Sequence, residues 1–78
     1  MDSEYDFLMY PNPVKGGTLY IKTFSDSTVS YKVINMLGQT VSSGKASTEI
    51  DVAALKAGIY FLEVNDGEDI MTRKFIKE

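Results

Sequence analysis

Short runs of alternating apolar and polar residues fill most of this sequence, each bounded by Gly, Asn, Asp or Ser. The turns recur at the spacing of about 8 to 12 residues expected of a β-sandwich. Residues 5–10 read as a first strand, stopped by Pro11-Asn12-Pro13. Neither proline can donate to a ladder and each pushes its predecessor into an extended conformation, so this strand leaves its sheet at an edge. Gly16-Gly17 turns the chain into a second strand over 18–23, with Leu19 and Ile21 on one face and Tyr20 and Lys22 on the other. In a third strand Val29, Tyr31 and Val33 alternate with Ser30, Lys32 and Ile34. Asn35-Met36-Leu37-Gly38 follows as a turn in which Gly38 is free to take a positive φ. Residues 39–43 and 47–51 supply two short strands.

Residues 51–58 are the one helix-like passage, with an N-cap candidate in Asp51 and a C′ glycine in Gly58. It is too short for an independent helix and reads as one helical turn joining two sheets, with Leu55 dipping into the core. Residues 59–64 form the most apolar strand, and Asn65-Asp66-Gly67 is the strongest hairpin signal in the chain. The return strand over 70–77 completes seven. Seven short strands without a long helix predict an all-β fold, an immunoglobulin-like seven-stranded antiparallel β-sandwich.

At 78 residues the chain has room for one domain with one modest core. The net charge is −3, from 8 basic and 11 acidic residues spread along the chain. The only local basic excess is Arg73, Lys74 and Lys77, which is not the stripe that nucleic acid requires, so no nucleic-acid partner is expected. Cysteine and histidine are both absent, which removes disulfides, zinc–thiolate sites, histidine-ligated metals and the usual serine or cysteine hydrolytic relays. No apolar run is long enough for a membrane span, and the start, Met1-Asp2-Ser3-Glu4, is acidic where a signal peptide would be basic. Residues 1–6 therefore read as a linker or the artificial start of an excised domain occupying 7–78, with any signal peptide at the far end of a missing parent.

Three candidate chemistries compete with plainer readings. Asp66, Glu68 and Asp69 could be taken for a calcium loop, but they lack the order of an EF-hand, and a solvated hairpin tip is preferred; no cofactor or metal is expected. Paired carboxylates for glycoside hydrolysis need an apolar recess, whereas the acids here fall in turns or on polar strand faces. Tyr10, Tyr20, Tyr31 and Tyr60 could form a sugar-stacking platform. Tyr31 and Tyr60 share the phase of core residues, which leaves Tyr20 as the aromatic to watch.

Four stretches in order, YPNPV at 10–14, NMLGQTV at 35–41, LKAGIYFLEV at 55–64 and RKFIK at 73–77, resemble the signature of the type IX secretion C-terminal sorting domain. The resemblance covers nearly the whole chain from Tyr10 onward. It implies a non-catalytic domain of a Gram-negative bacterium that takes a larger parent, already in the periplasm, across the outer membrane. It also implies removal by a peptidase of the pathway, and release or surface attachment of the parent. The partners would be the type IX translocon, its sorting and cleavage components and the cargo preceding the domain, which is expected to be monomeric. A stand-alone binding module for a polysaccharide or a cell-surface protein is the alternative.

By position, Pro11, Asn12 and Pro13 match the family's opening loop, Gly38 its mid-domain turn, and Leu55, Gly58 and Tyr60 its Leu-x-x-Gly-x-Tyr corner. Ala57 stands where the family commonly has Lys or Pro. Lys74, Ile76 and Lys77, with Arg73 and Phe75 among them, match the basic final strand presented to the translocon, and Glu78 follows with an opposite charge. Turn residues and core fillers have structural reasons of their own, so most of the signature is expected to encode fold. Recognition is then expected of the final strand, whose edge would offer unpaired backbone groups and lysines. Of the adjacent Phe75 and Ile76, one must face out.

Overall fold

The computed structural model describes residues 7–22 and 28–78. Seven strands follow one another: β1 (Leu8–Tyr10), β2 (Thr18–Lys22), β3 (Val29–Asn35), β4 (Thr40–Ala46), β5 (Glu49–Asp51), β6 (Gly58–Asn65) and β7 (Ile70–Lys77). They form two antiparallel sheets, one ordered β1-β2-β5 and the other β4-β3-β6-β7. The expected sandwich is therefore present in immunoglobulin-like form, with the fourth strand beside β3 instead of beside β5. Thr23 and residues 5–6, expected in strands, lie outside the described residues.

Alternation dictates the core. Leu19 and Ile21 of β2, Ile50 of β5, Val29 and Val33 of β3, Tyr60, Leu62 and Val64 of β6 and Phe75 of β7 all turn inward, each in the phase its strand requires. Ala46 of β4 and Phe7, Val14 and Val52, outside the strands, complete the cluster. Burial of side chains this size is the main favourable contribution to so small a fold, at about 1.5–3 kcal/mol each.

Beyond shifts of one or two residues at other strand ends, two features differ from the sequence reading. β4 runs on through Gly44, which the alternation treats as a breaker, because Gly44 pairs with Tyr31 and leaves room for its ring. A Cβ there would lie 3.3 Å from the Tyr31 hydroxyl. The expected helical turn over 51–58 is instead a non-helical turn, since one turn cannot repay the cost of nucleating a helix. Asp51 Oδ1 accepts from Ala53 N at 3.0 Å and Leu55 N donates to Val52 O at 3.1 Å, which is sufficient to reverse the chain. Leu55 does pack against the core as expected. The turn also presses on Gly17, where a Cβ would meet that of Ala53 at 2.9 Å. Gly17 is thus required for close approach as well as for bending the chain.

Candidate recognition interface

β7 pairs with β6 along its whole length, from Gly58↔Lys77 to Asn65↔Ile70, and is the outermost strand of its sheet. An outermost strand should leave alternate backbone groups unpaired. Over residues 74–78 they are instead occupied by the loop after β1. Asn12 Nδ2 donates to Lys74 O at a long 3.4 Å, and Ile76 N donates to Asn12 Oδ1 at 3.0 Å. Two residues further, Val14 N donates to Ile76 O at 2.7 Å and Glu78 N donates to Val14 O at 2.8 Å. The Asn12 carboxamide, with one donor and one acceptor side by side, stands in for a peptide group, and Val14 serves as a one-residue parallel strand. Pro11 and Pro13, both preceded by cis bonds, flank Asn12 and have no N–H to satisfy.

The side chains of β7 sort by phase. Phe75 points inward, fully buried and stacked on its cross-strand partner Tyr60 with ring centroids 5.6 Å apart, while Ile76 faces out. Lys77, expected as an exposed cation, is only 9% exposed, and its Nζ donates to Glu78 O at 3.2 Å. In the folded domain, then, the side chains of Phe75 and Lys77 are both buried. Arg73 is exposed yet engaged: Nη1 donates to Phe7 O at 3.0 Å, and the guanidinium lies 5.9 Å from the Phe7 ring centroid. Lys74 and Ile76 are the outward pair.

The corner expected of Leu55, Gly58 and Tyr60 closes through Tyr60, whose hydroxyl donates to Lys56 O at 2.8 Å, the hydrogen bond of a tyrosine corner. Gly58 opens β6 with φ +158°, far from the left-handed helical conformation expected of a C′ residue. Gly38 does take a positive φ, +87°, in the turn after β3. Asn35 Oδ1 holds that turn by accepting from Leu37 N at 2.9 Å and Gln39 N at 3.0 Å.

The remaining candidates separate cleanly. Asp66 Oδ1 accepts from Asp69 N at 2.8 Å and Glu68 N at 2.9 Å, and these two amides hold the exposed carboxyl below its usual range. The carboxylate therefore builds the hairpin tip, and no cluster of three metal-ligating side chains forms among the described residues. An open groove of about 300 Å³ crosses the outer face of the four-stranded sheet, lined by Lys32, Ser43, Glu63 and Asn65 among others. It brings in one carboxylate where glycoside hydrolysis needs two. Tyr10 and Tyr20, opposite each other in register, stack at 5.6 Å on the exposed face of the other sheet; Tyr60 is buried and Tyr31 half-buried.

Sequence reasoning found the first and last signature segments but not that they touch. Asn12 and Ile76 are 64 positions apart, and nothing in either segment's own alternation names the other as neighbour. A family model described as secretion system C-terminal sorting domain matches residues 8–78. No curated protein matches the chain.

Proposed function

The chain belongs to the family of type IX secretion C-terminal sorting domains, and from that membership we propose that it is a non-catalytic address tag, read by the type IX translocon and its sorting and cleavage components. On this reading residues 1–6 are a linker or the start of an excised domain, and residues 7–78 are the signal. The parent protein crosses the outer membrane on this signal and becomes secreted or surface-located, the domain being removed on the way.

The observation that carries this reading is the family match over residues 8–78, which spans every signature segment. Asn12 bonds to the edge of β7 between its two prolines, and Gly38 and Tyr60 hold turns, which supports a structural role for most of the signature. Recognition falls to what β7 leaves outside: Lys74 and Ile76, with Arg73 at the rim. A lone lysine on a solvated face steers encounter more than it adds affinity, so receptor binding should weaken with salt.

The test is a fusion of signal peptide, fluorescent reporter and this chain, expressed in a host with the machinery. The reporter should reach the surface or medium; intact, folded fusion retained in the periplasm would sink the assignment. The alternative, a binding module, draws on the stacked Tyr10–Tyr20 pair. It requires saccharide affinity that disappears in Tyr10→Ala and Tyr20→Ala.

A further inference from the structure

The turn between β3 and β4 is built by polar groups. Asn35 accepts from the Leu37 and Gln39 amides, Asn35 Nδ2 donates to Gln39 Oε1 at 3.1 Å, and Gly38 supplies the positive φ. The side chains of Met36 and Leu37 contribute nothing to it, and they are 63% and 83% exposed. Turn tips favour Gly, Asn, Asp and Ser, so two large apolar side chains there lack a folding reason.

They are not isolated. Asn35 pairs with Tyr60, so the turn projects from the end of the sheet at which β6 begins and β7 ends. At that end Ile59 and Ile76 face each other across the ladder on the outer face, 39% and 38% exposed. The next row is Ile34, Phe61 and Lys74, with Ile34 and Phe61 half-buried. Three separate signature segments thus bring exposed apolar side chains to one end of one sheet, and apolar side chains gathered on a surface in this way mark an interaction site.

Lys74 adds a direction. It lies in the patch beside Phe61, and no acidic partner for its ammonium is present among the described residues. The acidic tip, Asp66, Glu68 and Asp69, is at the opposite end of the β6–β7 hairpin. An apolar patch with one cation that makes no ion pair among the described residues complements a protein surface that carries apolar side chains and a carboxylate. Anionic lipid is the poorer fit, because membrane attraction takes clusters of about four to eight basic residues, and this chain carries a net −3.

We infer that the export receptor grips the domain by this end of the four-stranded sheet, through Met36, Leu37, Ile59 and Ile76, with Lys74 facing a receptor carboxylate. The inference rests on the sorting role proposed above. The variants to make in the reporter fusion are Met36→Gln with Leu37→Gln, Lys74→Glu alone, and Ile76→Thr as a conservative strand change. Tyr10→Ser with Tyr20→Ser on the other sheet is the control. The Met36/Leu37 pair should lower the exported fraction by about tenfold or more, the effect of losing one well-buried anchor. Lys74→Glu and Ile76→Thr should lower it too, all three with unchanged thermal unfolding of the 78-residue chain, while the control exports like the wild type. Wild-type export of the Met36/Leu37 pair, or an equal loss in the control, overturns the inference and leaves the sorting role standing. A wild-type fusion that stays in the periplasm overturns both. Leu37-dependent binding to phosphatidylcholine vesicles containing about one-third phosphatidylglycerol would assign the patch to lipid, and a wild-type dimer dissociated by Leu37→Gln would assign it to a second copy. Either result would also overturn it.

Discussion

Tyr60 has two attachments: its hydroxyl crosses the β5–β6 corner to the carbonyl of Lys56, and its ring lies on Phe75 inside the sandwich. Tyr60→Phe keeps the ring and removes only the hydrogen bond, so it should lower stability by about 1 kcal/mol in denaturant unfolding. No change would mean that water satisfies the carbonyl equally well. Asp66 offers a second test. Its two amide donors bind the charged form, so its folded-state pKa lies below the ordinary 3.8. The stability it contributes is complete above the ordinary value and is lost as pH falls through the lowered one. Wild type and Asp66→Asn should therefore keep a constant stability difference from neutral pH down to about pH 5 and converge below that. A difference that changes between pH 5 and 7 would assign the effect to another group. Single residues were legible where one local requirement decides them. Gly38 in a turn is such a case, whereas the need for glycine at position 17 comes from Ala53 pressing on it from another part of the chain.

Among the elements, β7 departs most from its expected role, because half of its open edge is covered by the loop after β1. Asn12→Ala removes both side-chain bonds to that edge and leaves the Val14 bridge. The Ile76 amide, which points at Asn12, should then exchange with solvent about tenfold faster or more, while the Phe75 amide, directed at β6, keeps its protection. Equal acceleration at both positions would show that the loop supports the whole strand and not its edge. Alternation identified all seven strands and, in β2, β3 and β6, the phase that turns inward, since period two is enforced wherever one face is buried. It missed the end of β4 and the non-helical turn after β5, where Gly44 and Gly58 serve a neighbouring ring and a strand start. It also left open which of Phe75 and Ile76 enters the core. Pairing of Phe75 with Tyr60 decides that, and with it the burial of Lys77 two residues on.

For the molecule as a whole, periodicity reveals which face of a strand is buried but not which strand lies beside it. The neighbourhood of residues 12–14 and 74–78 was therefore invisible in the sequence, although both segments were recognised. The candidate patch was half legible: Ile76 and Lys74 were named, while Met36, Leu37 and Ile59 passed as turn and strand residues until their exposure was known. The junction of the two segments has a mechanical consequence. Val14 runs parallel to β7, so a pull applied at the cargo side against a held C-terminus draws the two segments past each other along their length. The bonds from Asn12 and Val14 then carry the load together, in shear, and cannot open one at a time like a zip. Stretched by its ends in a single-molecule experiment, the wild-type domain should rupture at a higher force than Asn12→Ala. That difference should exceed what their equilibrium stabilities suggest, because forced rupture follows the unfolding barrier. Equal rupture forces would place the mechanical resistance elsewhere in the sandwich. The same geometry predicts resistance to tension applied between the two ends and yielding once residues 76–78 are released first.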